Sequence, residues 1–425
     1  MLRIHSVTCL LGLLLSAGLA TVGCGDDDDS SGSTAGTSGK GGSSATGGKS
    51  SAGGYAGKAA AGAQNLGGVP GEAGSPSQGG TGGLPFGIAR VMQTNLVSGS
   101  PAPAGGAGAA GAPGASGAGN DDPNLINAWG ISFNPDPAAK TMFWVSAADS
   151  GVSTVYAPDG TVAPLVVTVP AASATDTGSP TGQVFNSTTG FMGDKFIFST
   201  EDGLIAGWQT GTTAVVQADL SADGASYKGL ALLTGTDPML LAANFHAATV
   251  DVFDATYATV TDPPLFVDPK PVAGYAPFNV AAFGDKVYVA YAKQDADKAD
   301  EVAGVGLGYV NSFNPDGSFD KLLIPRGQAL NAPWGMALAP DTFTPAPGAL
   351  IVGNFGDGMI HGYDPSTGAM LAEFTDPNGA TLVIDGLWGL IFGTKKTGSD
   401  LSNQLFFTAG PEEETHGLFG VLSAP

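Results

Sequence analysis

From about Phe86 onward, apolar residues fall into short runs broken by Gly, Pro, Asp and Asn, and the runs recur in threes. Each cycle opens with an apolar run beginning near a glycine. A denser apolar run follows, then a short turn, then a third run that typically contains an aromatic residue. The first cycle is Asn127–Phe133, Met142–Ser146 and Ser153–Tyr156, closed by the turn Pro158-Asp159-Gly160. Later cycles open at Gly182–Asn186, Gly229–Leu233, Phe278–Phe283, Trp334–Leu338 and Leu387–Phe392. Equivalent runs lie about 50 residues apart, a spacing typical of propeller blades. The runs are short, rich in Val, Ile, Phe and Tyr, and bounded by turn residues, which predicts strands. No longer stretch carries a capped 3.6-residue period, so helices are not expected. Middle runs such as Phe196–Ser199 and Leu405–Thr408 are apolar on consecutive residues, as required when neighbouring blades cover both faces of a sheet. The predicted fold is therefore all-β: a six-bladed β-propeller. Its ring needs a closing strand from the N-terminal side, and Thr94–Val97 is suited to pair with Phe419–Leu422.

The preceding residues have another character. Met1–His5 carries one positive charge, Val7–Ala20 is uncharged and mainly apolar, and Thr21-Val22-Gly23-Cys24 resembles a bacterial lipobox with Thr where Leu is usual. This reading makes residues 1–23 a signal peptide and Cys24 the lipidation site, where several acyl chains hold a protein stably at a membrane. Cleavage after Gly18-Leu19-Ala20 would instead release a soluble secreted protein. Cys9 and Cys24 are the only cysteines. The mature chain therefore keeps one and has no internal disulfide. Residues 24–85 hold an acidic run, Asp26–Asp29, and a Gly/Ser/Ala tract with too few large apolar groups to offset ordering entropy. A disordered stalk of some 60 residues is expected there, reaching about 40–45 Å. The propeller domain is assigned to 86–425, with a flexible insertion at 99–121.

The formal net charge is −22, and the mature chain has no Lys/Arg cluster. Such a surface repels phosphate backbones and excludes nucleic acid as a partner. It serves solubility, or it seeks cations.

Several longer motifs point to a family. Thr94–Ser98, Asp122–Ile131, Pro180–Asn186, Ala243–Phe245, Gly353–Gly358, Ile384–Gly389 and Phe407–Pro411 together span most of residues 92–422. They resemble an uncharacterised bacterial family of secreted proteins of the NHL/SMP-30-like β-propeller kind. The resemblance implies a propeller and export. It implies no activity and no catalytic residues.

Candidate site residues follow from the repeat. Trp129-Gly130, Trp334-Gly335 and Trp388-Gly389 stand at the entrance of innermost strands. The indoles would form an aromatic rim able to stack on a flat ligand, or would pack between blades. Asn127, Asn186, Asn279 and Asn331, with Asp385, would offer oxygens to Ca²⁺ if they converged on the axis, or would cap turns. His246, His361 and His416 are scattered, and no zinc spacing is present. Asp295, Asp297, Asp300 and Glu301 read as a solvated acidic loop. No P-loop, G-x-S-x-G elbow or H-E-x-x-H occurs.

With no catalytic constellation in the sequence, the favoured reading is a lipid-anchored, surface-displayed module of unknown specificity. It would act as a monomer at the outer membrane or cell surface and bind an extracellular ligand or protein. The competing reading is a divalent-metal-dependent hydrolase or lyase with its site in the axial channel. Fold alone does not separate the two.

Overall fold

The computed structural model describes residues 86–99, 118–396 and 398–425. The signal peptide, Cys24, the stalk at 24–85 and most of the 99–121 insertion lie outside the described residues.

The six sequence cycles are six antiparallel blades. Their innermost strands are Ala128–Phe133, Pro180–Phe185, Tyr227–Leu233, Tyr275–Phe283, Pro333–Leu338 and Leu387–Phe392. The second strands are the most enclosed: Phe143–Ala147, Phe196–Thr200 and Leu350–Asn354 are buried at every position. That is the physical reason for their unbroken apolar runs: each blade is covered on both faces. The core accordingly forms clusters between successive blades. One joins Ile131, Phe133 and Phe143 of the first blade to Phe406 and Phe419 of the last.

The ring closes as the sequence predicts. Met92–Gly99 pairs antiparallel with Gly417–Ser423, with Thr94 opposite Val421 and Val97 opposite Phe419. The insertion leaves the sheet at Gly99 and returns through Asn120–Asp121, which pairs parallel with Val97 and Ser98. One element goes beyond the threefold repeat: Gly87–Arg90 adds a parallel fifth strand to the fifth blade. Outer strands such as Val162–Thr168 and Val215–Asp219 were also absent from the three-run cycle, because they are half solvated and weakly apolar. The third blade has three strands. Beside it lies a cavity of about 520 Å³ bordered by Tyr275, Tyr291 and Tyr309. Among the described residues no helix is long and apolar enough to cross a membrane.

Candidate functional site: the axial well and its tryptophan floor

Every innermost strand breaks register near its start. The shifts fall between Ala128 and Ile131, Pro180 and Gln183, Tyr227 and Gly229, Pro277 and Asn279, Pro333 and Gly335, and Leu387 and Leu390. A bulge frees a residue from the ladder and re-aims its side chain. Here the six residues at the bulge are Trp129, Thr181, Lys228, Phe278, Trp334 and Trp388. Glycine follows all but Phe278, for a steric reason. A Cβ at Gly335 would lie 2.5 Å from the Trp388 carbonyl, and one at Gly389 would lie 2.7 Å from the Trp129 carbonyl. The blade backbones touch at this level. Asn279 takes the glycine place in the fourth blade and reaches across, its Nδ2 donating to the Trp334 carbonyl at 2.6 Å.

The three tryptophans meet at the axis. Trp129 stacks on Trp388 with centroids 3.6 Å apart, and Trp334 stands edge-on to both at 6.0 and 5.6 Å. Phe355 stacks on Trp388 at 4.0 Å, and Phe278 lies 5.8 Å away. The indoles are 3, 5 and 1 % exposed, in the order Trp129, Trp334, Trp388. They therefore close the axis as a floor rather than lining an open mouth. Asn127 fixes two of them: its Oδ1 accepts from Trp129 Nε1 at 2.7 Å and from Trp388 Nε1 at 3.1 Å. Trp334 Nε1 donates to the Lys228 carbonyl at 3.2 Å.

Lys228 occupies in the third blade the place that tryptophan holds in three others. Its side chain is 2 % exposed, and its ammonium lies 5.4 Å from the centroid of the Trp129 ring. It donates to Glu201 Oε1 and, at 3.3 Å, to Asp300 Oδ1. Burial opposes its charge, but Glu201, Asp300 and Glu301 outweigh burial and raise its pKa. Burial likewise works against the Glu201 carboxylate, and Lys228 with Ser179 overcomes it to hold that pKa low.

Around this pair stand further carboxyls from other blades. Burial lifts Glu301 to about 7 against the pull of Lys228. It lifts Glu414 to about 8, with Glu301, Glu201 and Asp149 adding repulsion. Asp149 is also raised, by burial and by Glu201, against a hydrogen bond from Asn127. One Glu414 oxygen, Oε1, is buried without a hydrogen-bond partner. The entrance face of the propeller thus holds a well with one buried lysine and five carboxyl groups: Asp149, Glu201, Asp300, Glu301 and Glu414. Asp300 and Glu301 were expected in a solvated loop. The turn that carries them folds back onto the strand end, with Gln294 bridging Glu301, and brings them to the axis.

The other predicted residues do not gather. Asn186 lies at the far end of its strand and donates to the carbonyls of Gly190 and Asp194. Asn331 accepts from the Gly304 amide at 2.6 Å and donates to Asp357 at 3.0 Å. Asp385 is exposed and accepts from the Glu412 amide. Asn127 alone of the set borders the well. His246 is exposed, His361 is buried in the fifth blade, and His416 lies beside Glu412. Among the described residues no three His, Cys, Asp or Glu side chains are placed to hold one metal ion.

Sequence reasoning missed the convergence because the carboxyls lie in four separate turns: Asp149 and Glu201 are single positions, and Asp300, Glu301 and Glu414 belong to acidic stretches that look solvated. The available signal was positional: Asp149 and Glu201 follow the second strand of their blades within two residues, after strands ending at Ala147 and Thr200.

No family model matches the chain. Among solved structures it is similar to regucalcin, a calcium-binding protein from Agrobacterium tumefaciens, at 14 % identity and a TM-score of 0.43, over 71 % of this chain and 90 % of that one. Two Acanthamoeba polyphaga mimivirus proteins are nearer in sequence. Uncharacterized protein R648 is 30 % identical over 319 residues, 71 % of this chain and 76 % of the relative. Uncharacterized protein L690 is 31 % identical over 320 residues, 71 % of this chain and 81 % of the relative. The chain belongs to the family of these mimivirus proteins.

Proposed function

We propose that the chain is an exported, lipid-anchored, monomeric binding module whose axial well receives a cationic group, carried by a small molecule or by a protein outside the cell. One observation carries this reading: the well sets five carboxyls against one lysine, and burial together with the neighbouring carboxylates raises Glu301 to about 7 and Glu414 to about 8. An entering ammonium takes the place of the protons they carry. The overall charge of −22 draws such a ligand toward the protein.

The test is calorimetric titration of the mature domain with spermidine at pH 7.5 in two buffers of different ionisation enthalpy. One-to-one binding with net proton release supports the reading. Absence of binding, or binding without proton release, refutes it. The anchor is tested separately: Cys24→Ala should move the protein from the membrane to the soluble fraction.

A second reading has its own support. Carboxyls titrating at about 7 and about 8 are suited to general acid–base work near neutrality. That is the requirement of a hydrolase or lyase acting at the axis with a divalent metal such as Ca²⁺. Stoichiometric metal in elemental analysis of the purified domain would favour it.

A further inference from the structure

The third blade stops one strand short. In the second and fifth blades the outer strand begins seven residues after the third strand ends, at Val215 after Trp208 and at Met370 after Tyr363. The same step from Phe253 reaches Val260, whose N–H donates to the Val252 carbonyl at 2.8 Å, beside a single bridge between Thr259 and Phe253. Pro263 and Pro264 follow, with no N–H groups to continue the ladder. The chain then leaves for the fourth blade, where the Phe266 N–H donates to the Gly317 carbonyl. Strand Thr249–Phe253 is left with an open edge. Alternate residues of a strand turn both backbone groups the same way. Val252 and Asp254 turn theirs outward, to Val260 and Ala258, so Val250 faces outward too. Among the described residues the N–H and C=O of Val250 and the N–H of Val252 meet no partner. Residues 248–252 all border the cavity of about 520 Å³ beside this blade.

We propose that this edge takes an extended peptide of a partner protein as its missing fourth strand, one in which apolar and basic residues alternate. Unpaired strand groups are answered by another backbone. The added strand runs antiparallel, as the outer strands of the second and fifth blades do. The two faces of the edge then fix its side chains. Val250 and Val252 turn to one face, into a cluster with Phe266, Tyr291 and Tyr309. Asp251 turns to the other, where it accepts from the Tyr227 hydroxyl at 3.0 Å, and Asp223 adds its charge near the same hydroxyl. A strand has a two-residue period, so every second side chain of the peptide enters the apolar hollow and those between them face the two carboxylates. Asp223, Asp251 and Asp268 border the cavity, and no Lys, Arg or His does. None of the three carboxylates has an ion-pair partner among the described residues. Lys270 and Arg326 border an adjoining hollow instead. Basic side chains complement that charge, and acidic ones are repelled. This surface is separate from the axial well and does not depend on it.

The experiment is calorimetric titration of the mature protein with the acetylated peptide amide Lys-Val-Lys-Val-Lys-Val. Saturable one-to-one binding is expected. The block peptide Lys-Lys-Lys-Val-Val-Val has the same charge without the alternation and should bind about 10-fold more weakly or worse. N-methylation of the valines removes the donors that face Val250 and should weaken binding about 10-fold or more, whereas N-methylation of the lysines, whose N–H groups face away, should change it by less than about 3-fold. Both comparisons use the unaltered protein, so neither depends on a variant that folds. Asp223→Asn with Asp251→Asn should weaken binding by about 10-fold, the value of two partly exposed ion pairs. Glu301→Gln with Glu414→Gln should leave it unchanged. Absence of saturable binding overturns the proposal. So does equal binding of the block peptide or of the valine-methylated peptide. Binding lost in the Glu301→Gln, Glu414→Gln protein would place the peptide in the axial well and overturn it as well.

Discussion

Lys228→Met tests the electrostatics of the well directly. Methionine preserves most of the length and apolar stem and removes the charge. Deleting one partner of a fully buried ion pair costs about 3–5 kcal/mol. Glu201 and Asp300 are 33 and 42 % exposed, so water screens the carboxylates left behind. The ionic share accordingly falls to about 1–2 kcal/mol. The lost ammonium–indole contact with Trp129 adds about 1 kcal/mol. The expected loss is about 2–3 kcal/mol at pH 7.5, or roughly 5 °C in Tm. Its pH dependence has a definite sign. Glu201 has a depressed folded pKa, so its contribution is present above the ordinary carboxyl value of 4.5 and is lost as pH falls through the folded pKa. Lys228 has a raised pKa and stays charged throughout this range. The cost of the substitution therefore shrinks as pH is lowered from 7.5 to 4. Urea denaturation at both pH values measures it, and Glu201→Gln in the Lys228→Met background should recover about 1 kcal/mol. A loss below about 0.5 kcal/mol, or an equal loss at both pH values, would falsify the assignment of Lys228 as the charge that holds the well together.

Other outcomes follow from the same geometry. Glu301 and Glu414 have raised folded pKa values, so the stability they contribute is complete below about 4.5 and is lost as pH rises through about 7 and about 8. The urea midpoint should fall across that window, at no more than about 1.4 kcal/mol per pH unit for each group, and Glu301→Gln with Glu414→Gln should flatten the curve. Gly389→Ala places a methyl group 2.5 Å from Thr408 Oγ1 and 2.7 Å from the Trp129 carbonyl, and should cost about 2–3 kcal/mol; a neutral effect in a thermal melt would contradict the tight contact between the last and first blades. Removing residues 1–99 deletes the closing strand, whose Val97 is fully buried opposite Phe419. Calorimetry should then show the single cooperative transition broadened or lost, and an unchanged transition would mean that closure contributes nothing.

The ring was legible in the chain because burial on both faces leaves a mark in sequence. Phe196–Thr200 and its counterparts are apolar at consecutive positions since neighbouring blades enclose them. The closing strand was legible for another reason: a closed ring needs a strand from the N-terminal side, and Thr94–Val97 is suited to pair with Phe419–Leu422. The outer strands were less visible because solvent reaches one side of them and relaxes the pattern. Blade-to-blade contact at Gly130, Gly335 and Gly389 was legible in the Trp-Gly pairs, but their destination was not. Whether three indoles rim a mouth or close it depends on the bulge that turns them, and a bulge is a register shift with no fixed composition. Lys228 was the hardest residue to read. Alone in sequence it looks like a solvated lysine, and only its place at the bulge, equivalent to Trp129, Trp334 and Trp388, marks it as axial. Its partners Glu201 and Asp300 come from two other blades, a convergence that exists only once the ring has closed.

The chain contains only seven glutamates, so side-chain carboxyl ¹³C NMR of glutamate-labelled protein gives a spectrum simple enough to follow each group through a pH titration. Assigned by the Gln variants, Glu301 and Glu414 should titrate near 7 and 8, and both should move to lower pH when spermidine is added. Titration of both near 4.5, or values that spermidine leaves unmoved, would contradict a well that holds protons in place of a cation.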